Sequence, residues 1–304
     1  MKDFISLEDK SSIPISVDSN RILIVGASGL IGGCLYHSFR EWSWDVDGTY
    51  STKKRKNLLP LDLANPSSSG IDFSKYSHVI IAAGLSKTEQ CFLDQKTSRA
   101  VNVEGTIEVL RRIKASSSIP IFLSSDYVFE GTTGGYDENG LRKPGTTYGK
   151  QKKEVEDFII QEFDRFLILR LGKVVSARKE DKTFLMEWYE KLKKGLPIRA
   201  AQDQVSAILD LQDLPHCLHI LIEQKKFGVY HLAAEGELSK LTIARKLCDF
   251  FHFPHELIQP CKINELGLKE IRPLNTSLSA KKFVRETNYS FKSVDNVIQR
   301  IEKS

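Results

Sequence analysis

The stretch ILIVGASGLIG at residues 22–32 joins a short apolar run to a glycine-rich turn, and a helical pattern follows directly from Leu30. Gly26, Gly29 and Gly32 would allow a tight turn, a close approach of the backbone to a pyrophosphate at the positive helix end, and close packing of helix on strand. An ordinary turn can carry the same glycines. Here a predicted strand precedes the glycine turn and a helical pattern follows it, and this context favours a dinucleotide-binding site.

The first 175 residues alternate between short apolar runs and amphipathic helical patterns. The apolar runs lie at residues 22–25, 46–50, 58–61, 78–83, 119–124 and 166–171. The helical patterns lie at residues 30–40, 99–114 and 148–163. Near-continuous apolar strands separated by helices predict an α/β protein with a doubly wound parallel sheet of the Rossmann type, covered on both faces. We therefore predict an NAD(P)-binding Rossmann domain over residues 20–175.

Beyond residue 175 the alternation becomes irregular. Helical patterns lie at residues 183–194, 213–223, 241–251 and 294–301, and one further strand candidate lies at 229–233. We predict that residues 176–304 form a smaller, mostly helical C-terminal region that binds substrate. Its strand candidate would return to the sheet of the first domain.

The composition is that of a globular chain. The 304 residues are 41% apolar and 27% charged, with 44 basic and 39 acidic side chains for a net charge of +5, which excludes a disordered or fibrous protein. The five cysteines are widely spaced and never form Cys-x-x-Cys, so we expect a reducing, cytoplasmic compartment. Because no apolar run reaches roughly 20 residues and residues 1–20 lack a signal-peptide core, we expect neither export nor membrane anchoring.

Binding of nucleic acid or metal is not favoured. The basic clusters at residues 53–56, 191–194 and 225–226 contain no aromatic residues, as is typical of solvated surface. Four histidines are close to one another in pairs, but no further ligand falls at a matching spacing: His216, His219, His252 and His255. We predict no metal site and interpret these as histidines of helix faces or loops.

The residues that follow the second strand bear on the choice of cofactor. An NAD site would place an acid there for the ribose hydroxyls, whereas this chain has Tyr50, Ser51, Lys54 and Arg55. Hydroxyls and cations attract a 2′-phosphate that an acid would repel, so NADP is favoured, with NAD as the alternative and a solvated basic loop as the plainer interpretation. Asp62, after the third strand, could accept from the adenine amino group or cap a turn.

Tyr148 and Lys152 stand four residues apart at the start of a helical pattern, so they share one helix face. A cation there would lower the pKa of the phenol, which could then act as a general acid for carbonyl reduction near neutral pH. Ser125 lies where a strand ends, at the carboxyl edge of the sheet, and its hydroxyl could bond the same substrate oxygen. A Tyr-x-x-x-Lys motif alone is usually one turn of a surface helix. The three motifs occurring in this order, the glycine turn, the strand-end serine and then Tyr-x-x-x-Lys, are a much more specific indication of such a catalytic site.

Together these motifs resemble those of the extended short-chain dehydrogenase/reductase family. The matching stretches are GASGLIG at 26–32, AAG at 82–84, VNVEGT with Asn102, SSDYVFEG at 124–131 and YGKQK at 148–152. The SDYVF segment, with Arg272-Pro273 and Asn275 late in the chain, is similar to the dTDP-4-dehydrorhamnose reductase subgroup. The resemblance extends over nearly the whole chain from about residue 20.

The resemblance implies catalytic roles. Ser125, Tyr148 and Lys152 would form the catalytic triad, and Asn102 would support a proton-relay water. It also implies a homodimer in which the helix of Asn102 and the helix of Tyr148 pair across a two-fold axis.

The resemblance implies binding roles as well. Asp126 would touch the sugar, and Arg272 is a candidate for the nucleotide diphosphate. With the positions after the second strand, the cofactor would be lined by Gly26, Ser28, Gly29, Leu30, Ile31, Asp62, Leu63, Ala82, Ala83, Gly84, Tyr148 and Lys152.

Two departures from the family pattern concern the substrate. Residues 170–173 read Arg-Leu-Gly-Lys where the reductases carry a tryptophan near the sugar, so the identity of the sugar stays open. Asp126-Tyr127 stands where sugar-nucleotide 4,6-dehydratases have an Asp-Glu pair, and the missing glutamate argues against dehydration.

Three functions remain. The favoured one is an NADP-dependent reductase of a 4-keto nucleotide-diphosphate sugar, with Tyr148 protonating the oxygen. An epimerase of the same family would retain its cofactor and consume no NADPH. A non-catalytic regulatory subunit resembling that of methionine adenosyltransferase, which also shows an SSDYVF-type segment, would act by docking to a partner enzyme.

Overall fold

The computed structural model describes residues 21–52 and 54–301. The expectations for residues 1–20, including the predicted domain start at residue 20, and for Lys53 of the first basic cluster lie outside the described residues. In chain order the strands are β1 (Ile22–Val25), β2 (Val46–Tyr50), β3 (Leu59–Pro60), β4 (His78–Ile81), β5 (Ile119–Ser125), β6 (Leu167–Leu171), β7 (Lys173–Val175), β8 (Ile198–Ala201), β9 (Val205–Ser206), β10 (Ile208–Asp210), β11 (Gly228–Leu232), β12 (Leu238–Ser239) and β13 (Ile258–Cys261).

Helices occur at every predicted pattern, and three further short helices, Thr88–Leu93, Gln95–Arg99 and Lys281–Thr287, were not predicted. In chain order the α-helices are α1 (Leu30–Glu41), α2 (Thr88–Leu93), α3 (Gln95–Arg99), α4 (Thr106–Ser116), α5 (Thr147–Glu162), α6 (Phe184–Lys193), α7 (Asp213–Glu223), α8 (Lys240–Phe251), α9 (Lys281–Thr287) and α10 (Val294–Ile298). The continuous helix expected over residues 99–114 is interrupted by a π-helical turn at Ala100–Gly105. Hydrophobic periodicity cannot reveal such a turn, because one wider turn leaves the apolar face nearly in place.

Seven parallel strands of the described chain form the central sheet, in the order β11-β6-β5-β4-β1-β2-β3. The strand order reverses between β1 and β4, which pair directly with each other in parallel. Ligands of such sheets bind at the carboxyl edge beside this reversal. The predicted Rossmann fold is therefore confirmed, and so is the returning strand, since β11 pairs with β6.

Helices cover both faces of the sheet. On one face, residues of α1 and α7 such as Leu35, Phe39 and Leu218 are fully buried against the strands. On the other face, residues of α4 and α5 such as Leu110 and Ile159 are equally buried. The sheet is enclosed on both sides, which explains why its strands read as nearly continuous apolar runs.

A second hydrophobic core lies in the chain beyond β6. It joins α6, α8 and α10 with the parallel pair β8 and β13, and includes Leu185, Leu247 and Val297. Helix α7 and strand β11, in contrast, pack with the central sheet although they also come after residue 175. All five cysteines are free thiols. None of the helices within residues 21–52 and 54–301 is long and apolar enough to cross a bilayer.

Candidate active site

The glycine turn between β1 and α1 is built by close backbone packing. A Cβ at Gly32 would lie 2.2 Å from the Gly26 carbonyl oxygen, and a Cβ at Gly26 would lie 2.8 Å from Ala83. Gly26 also has a φ of +91°, a conformation that favours glycine. The turn therefore brings the N-terminus of α1 against both β1 and the end of β4, with the residues Ser28 and Gly29 exposed above it.

Most predicted cofactor contacts cluster around this turn. Leu30 and Ile31 open α1, where Leu30 is exposed, and Ala82 donates its backbone N–H to the Val25 carbonyl at the end of β1. Gly84 follows with a φ of +146°, and a Cβ there would lie 3.0 Å from Asn102 Oδ1. The ends of β1 and β4, the neighbouring strands between which the strand order reverses, are thus lined by small residues.

The segment after β2 is exposed. Tyr50 ends the strand half-buried, and Ser51, Lys54 and Arg55 are accessible to solvent. The Ser51 hydroxyl donates to Asp62 Oδ1 at 3.2 Å, so one carboxylate does lie beside these hydroxyl and cationic groups.

Asp62 takes the turn-capping role considered as its alternative. Its Oδ1 also accepts from the Ala64 backbone N–H at 3.0 Å. The neighbouring Leu63 is buried, and a Cβ at Gly105 would lie only 1.7 Å from the Leu63 carbonyl oxygen. A glycine in the π-helical turn is thus required for the helix to approach this loop, while the adenine-binding role of Asp62 stays a prediction.

The three proposed catalytic side chains come together at the carboxyl end of β5. Ser125 is the last residue of β5, and its hydroxyl lies close enough to act on the pKa of the Tyr148 phenol. Thr146 caps α5 by accepting from the Gly149 N–H at 3.1 Å, so the helix begins just before Tyr148. Lys152 follows one turn later, with its Nζ 5.8 Å from the centre of the Tyr148 ring.

Lys152 is held rigidly. Its Nζ donates to the Leu123 carbonyl at 2.9 Å and lies 4.4 Å from the centre of the Phe122 ring. Burial lowers the pKa of Lys152 to about 8, against the opposing effect of the Glu156 carboxylate. The ammonium is therefore poised to lose its proton within the range in which enzymes work.

The pKa of Tyr148 differs from the expectation. Burial raises the pKa, the Asp126 carboxylate raises it further, and the nearby Ser125 hydroxyl lowers it only in part. The expected lowering by Lys152 is not found, because desolvation of the buried phenol is the larger effect. A neutral phenol is nonetheless the form that donates a proton to a carbonyl oxygen.

Asn102 lies in the π-helical turn, and its amide is fully engaged. Its Oδ1 accepts from the Leu85 N–H at 2.7 Å, and its Nδ2 donates to the Leu85 carbonyl at 2.9 Å and to Gln151 Oε1 at 2.8 Å. The side chain thus joins the loop after β4 to helix α5. π-Helical turns are frequent at functional sites, and the role of Asn102 in a proton relay stays a prediction.

Asp126 and Arg272 occupy different settings. The Asp126 carboxylate is buried, accepting from the Ser125 hydroxyl at 2.8 Å and from the Thr276 hydroxyl at 2.5 Å. Arg272 is paired with Glu89 at 2.9 Å and with Glu270 at 3.2 Å. A substrate diphosphate would have to compete with two carboxylates for this guanidinium, and its assignment to that group stays a prediction.

Sequence reasoning missed the groups that support these side chains. Glu156 is buried and accepts from the Ser124 hydroxyl at 2.5 Å, from Arg142 at 3.0 Å and from Arg170 at 2.8 Å. Its spacing was a usable signal, since it continues the face of Tyr148 and Lys152 by one more turn. Glu270, which accepts from the Thr147 N–H at 2.5 Å, gave no such signal because it lies far away in sequence.

The fold and this set of side chains define an extended short-chain dehydrogenase/reductase. The sequence matches the RmlD substrate binding domain family over residues 20–303, and the chain belongs to that family. No group of three or more His, Cys, Asp or Glu within the described part of the chain could hold a metal ion.

Two curated relatives differ in what their names say. Methionine adenosyltransferase 2 subunit beta of Xenopus laevis is 26% identical over 279 residues, covering 88% of this chain and 83% of that protein. The probable low-salt glycan biosynthesis reductase Agl14 of Haloferax volcanii is 24% identical over 289 residues, covering 92% of this chain and 96% of that protein. The relatives thus include both a subunit of an unrelated enzyme and a reductase.

Solved structures share the fold over nearly the whole chain. A hypothetical dTDP-4-dehydrorhamnose reductase from Sulfolobus tokodaii has a TM-score of 0.81 at 26% identity, covering 90% of this chain and 98% of that one. The dTDP-4-dehydrorhamnose reductase of Bacillus anthracis, solved in complex with NADP, has a TM-score of 0.82 at 21% identity, covering 94% and 99%.

Proposed function

We propose that this protein is an NADP-dependent reductase of a 4-keto nucleotide-diphosphate sugar. The observation that carries the proposal is the Lys152 ammonium, which lies 5.8 Å from the centre of the Tyr148 ring and donates to the Leu123 carbonyl of β5, the strand that ends at Ser125. These groups lie at the carboxyl edge of the sheet, where a ligand held by the glycine turn would end. The reductase name of the Haloferax volcanii relative is in agreement.

The residues of the turn fit a dinucleotide. Gly26 and Gly32 leave no room for a Cβ, and the exposed residues Ser28, Gly29 and Leu30 lie at the positive end of α1. Lys54 and Arg55 are free to approach a 2′-phosphate, which favours NADP, while Asp62 beside Ser51 leaves NAD as the alternative. When bound, NADPH supplies the hydride.

The chain's own groups would handle the proton and orient the sugar. The carbonyl carbon gains a hydride, and its oxygen gains the proton of the Tyr148 phenol, so that a ketone becomes an alcohol. Ser125 would bond the same oxygen and fix its direction. Lys152, anchored on Leu123, would stabilise the phenolate left behind by its positive charge.

The test follows NADPH absorbance on mixing the protein with a panel of 4-keto nucleotide sugars. We expect turnover in the natural protein and a loss of about 10²- to 10⁴-fold in Tyr148→Phe, because the ring stays and only the proton donor is removed. NADPH binding should be retained in the variant. Equal rates in the two proteins would contradict the proposal.

An epimerase of the same family is distinguished by its cofactor balance. It oxidises and then reduces the same sugar, so it converts one nucleotide sugar into another without any change in NADPH absorbance. Conversion of a non-keto sugar nucleotide, followed by chromatography, would replace the reductase proposal with this one.

A regulatory role is the second candidate, favoured by the relatives named methionine adenosyltransferase 2 subunit beta. Such a protein would bind the dinucleotide and act by docking to a catalytic subunit. Copurification with a methionine adenosyltransferase, together with no reduction of any sugar in the panel, would establish this role. The catalytic residues do not decide the matter, since they can be kept in a protein that no longer turns over substrate.

The homodimer implied by the family can be tested in the same preparations. Helices α3, α4 and α5 carry exposed ion pairs within the chain, with Arg99 of α3 2.7 Å from Glu154 of α5 and Lys114 of α4 2.5 Å from Glu162 of α5. A dimer through these helices would be polar and sensitive to salt. Light scattering at low and high salt would show a mass of two chains that falls toward one.

A further inference from the structure

A second polar cluster lies beside the catalytic hydroxyls. Its centre is Asp126, whose Oδ1 accepts from the hydroxyl of Ser125, one of the three proposed catalytic residues. Two lysines act on the Asp126 carboxylate from other elements, Lys173 at the start of β7 and Lys240 at the start of α8. The cluster is therefore next to the group that would protonate the substrate carbonyl.

The two ammonium groups converge on one aromatic ring. Lys240 Nζ lies 3.5 Å from the centre of the Phe184 ring, and Lys173 Nζ lies 5.8 Å from the same centre. Phe184 begins α6, so three separate elements bring their first residues to this point. Such convergence brings two cations together beside the Phe184 ring.

Lys240 is buried in an unusual way. Its Nζ is hidden from solvent and has no hydrogen-bond partner in the part of the chain that the structure describes. Two buried hydroxyls nearby in the fold are also without partners there, those of Thr183, which precedes Phe184, and Ser206, which pairs with Leu238 across two strands. Buried polar groups without partners are rare and mark places where a ligand or water is missing.

The charges around the cluster do not balance. Asp126 is the main carboxylate that faces the two lysines, and it is already bonded by the hydroxyls of Ser125 and Thr276. The exposed Glu187 acts more weakly on Lys173, and Arg272, a further cation, opposes it. Lys173 is itself exposed, but the Lys240 Nζ is hidden from solvent, and burial and the Lys173 charge both lower the pKa of Lys240, so a second cation here is electrostatically unfavourable. An anionic ligand would relieve this cost.

A purely structural role explains the arrangement less well. Packing of the Lys240 stem on Phe184 would need only an apolar side chain, and a buried ammonium without a partner destabilises the fold. Residues that reduce stability in this way are typical of binding sites.

We propose that Lys173 and Lys240 bind a carboxylate on the sugar ring of the substrate, so that the protein recognises a nucleotide-linked sugar acid. This rests on the proposed function for the nucleotide-sugar class. The carboxylate of a uronic acid is attached to C5, next to the C4 carbonyl that Tyr148 would protonate. The diphosphate is attached to C1 across the ring, farther from the cluster.

The test measures binding of UDP-glucuronate, UDP-glucose and UDP to the NADP-loaded protein by calorimetry. The two sugars differ only in a carboxylate or a hydroxymethyl group on C5. We expect at least about tenfold tighter binding of UDP-glucuronate, the size of one charged hydrogen bond. Lys173→Met and Lys240→Met should each bring the ratio toward one and leave the affinity for UDP unchanged.

Two control variants accompany these. Arg245→Gln removes an exposed cation from the same helix as Lys240 and should leave every affinity unchanged. Lys240→Arg keeps the charge and should keep a preference for the acid. Thermal denaturation of each variant separates a lost contact from a lost fold.

Equal binding of the two sugars by the natural protein would overturn the proposal, as would a preference that survives in both methionine variants. A loss of UDP affinity in those variants would assign the lysines to the diphosphate and would also overturn it. The binding assay requires no turnover, so a protein that prefers the acid but reduces no keto sugar keeps this site and loses the proposed reductase activity.

Discussion

The residues proposed to transfer the proton and the residues proposed to bind the sugar carboxylate are assembled in different ways. Ser125, Tyr148 and Lys152 come from one strand end and the next long helix. Lys173, Lys240 and the other groups around Asp126 come from separate elements beyond β6. The difference teaches that the reaction is encoded in local motifs, which identify the family. The choice of substrate depends on long-range folding, which motifs do not report.

The helix that carries Tyr148 and Lys152 is held by a buried network of hydrogen bonds and ion pairs. Removing the centre of that network should lower the free energy of unfolding more than any other change considered. Glu156 is fully buried and bonds Ser124, Arg142 and Arg170. Glu156→Ala should lower the free energy of unfolding by about 3–5 kcal/mol, because it leaves a buried guanidinium without its partner. Urea denaturation measures this loss.

The matched control lies on the same helix. Glu162→Ala removes a carboxylate that pairs with Lys114 near the surface and should cost less than about 1 kcal/mol. Similar losses in the two variants would mean that the buried network contributes no more than a surface pair.

The glycine turn provides the next largest effect. Gly32→Ala would place a Cβ 2.2 Å from the Gly26 carbonyl oxygen, so backbone must move. We expect a loss of about 1–3 kcal/mol in the free energy of unfolding, together with weaker NADPH binding by fluorescence titration. Gly70→Ala, where a Cβ meets nothing within 4 Å, is the control and should change neither quantity. Full cofactor affinity in Gly32→Ala would contradict the assignment of the turn.

The pH profile sharpens the role of Lys152. Because burial lowers its pKa to about 8, the charged form needed beside Tyr148 is lost as pH rises through that value. We expect kcat/KM for sugar reduction to fall above pH 8 by about tenfold per pH unit. Lys152→Arg, whose guanidinium stays charged, should lower the plateau but remove the fall. A profile that is flat to pH 10 in the natural protein would count against this role.

The smallest change in the free energy of unfolding is expected at Lys240, where the substitution should stabilise the protein. Lys240→Met should raise the free energy of unfolding by about 1 kcal/mol, because it removes a buried ammonium that has no hydrogen-bond partner among the described residues and contacts only the Phe184 ring. Lys246→Met on the same helix removes a surface pair with Asp295 and should lower it slightly. A large loss in Lys240→Met would mean that this lysine is structural.

Local signals explain what could be predicted from the sequence. The glycines of the first turn, the strand-end Ser125 and the spacing of Tyr148 and Lys152 all act within a few residues. The structure places Lys152 Nζ 5.8 Å from the centre of the Tyr148 ring, and the catalytic and binding roles of these residues stay predictions. The apolar run at 229–233 likewise predicted the returning strand β11.

What could not be predicted depends on contacts between distant parts of the chain. The pairing of Arg272 with Glu89 and Glu270, and the approach of Lys240 to Asp126, require the whole C-terminal region to fold first. The raised pKa of Tyr148 was also out of reach, because burial can only be measured in the folded protein.

The proposed role of Tyr148, donation of the proton that accompanies hydride transfer from NADPH, can be tested with NADPH deuterated at C4 of the nicotinamide. Incubation with a 4-keto nucleotide sugar, followed by mass spectrometry of the product, reports the transfer itself. We predict a sugar alcohol one mass unit heavier in the natural protein and none in Tyr148→Phe, with NADPH bound by both. NADPH bound by the natural protein, with no deuterium on any sugar of the panel, would contradict the account.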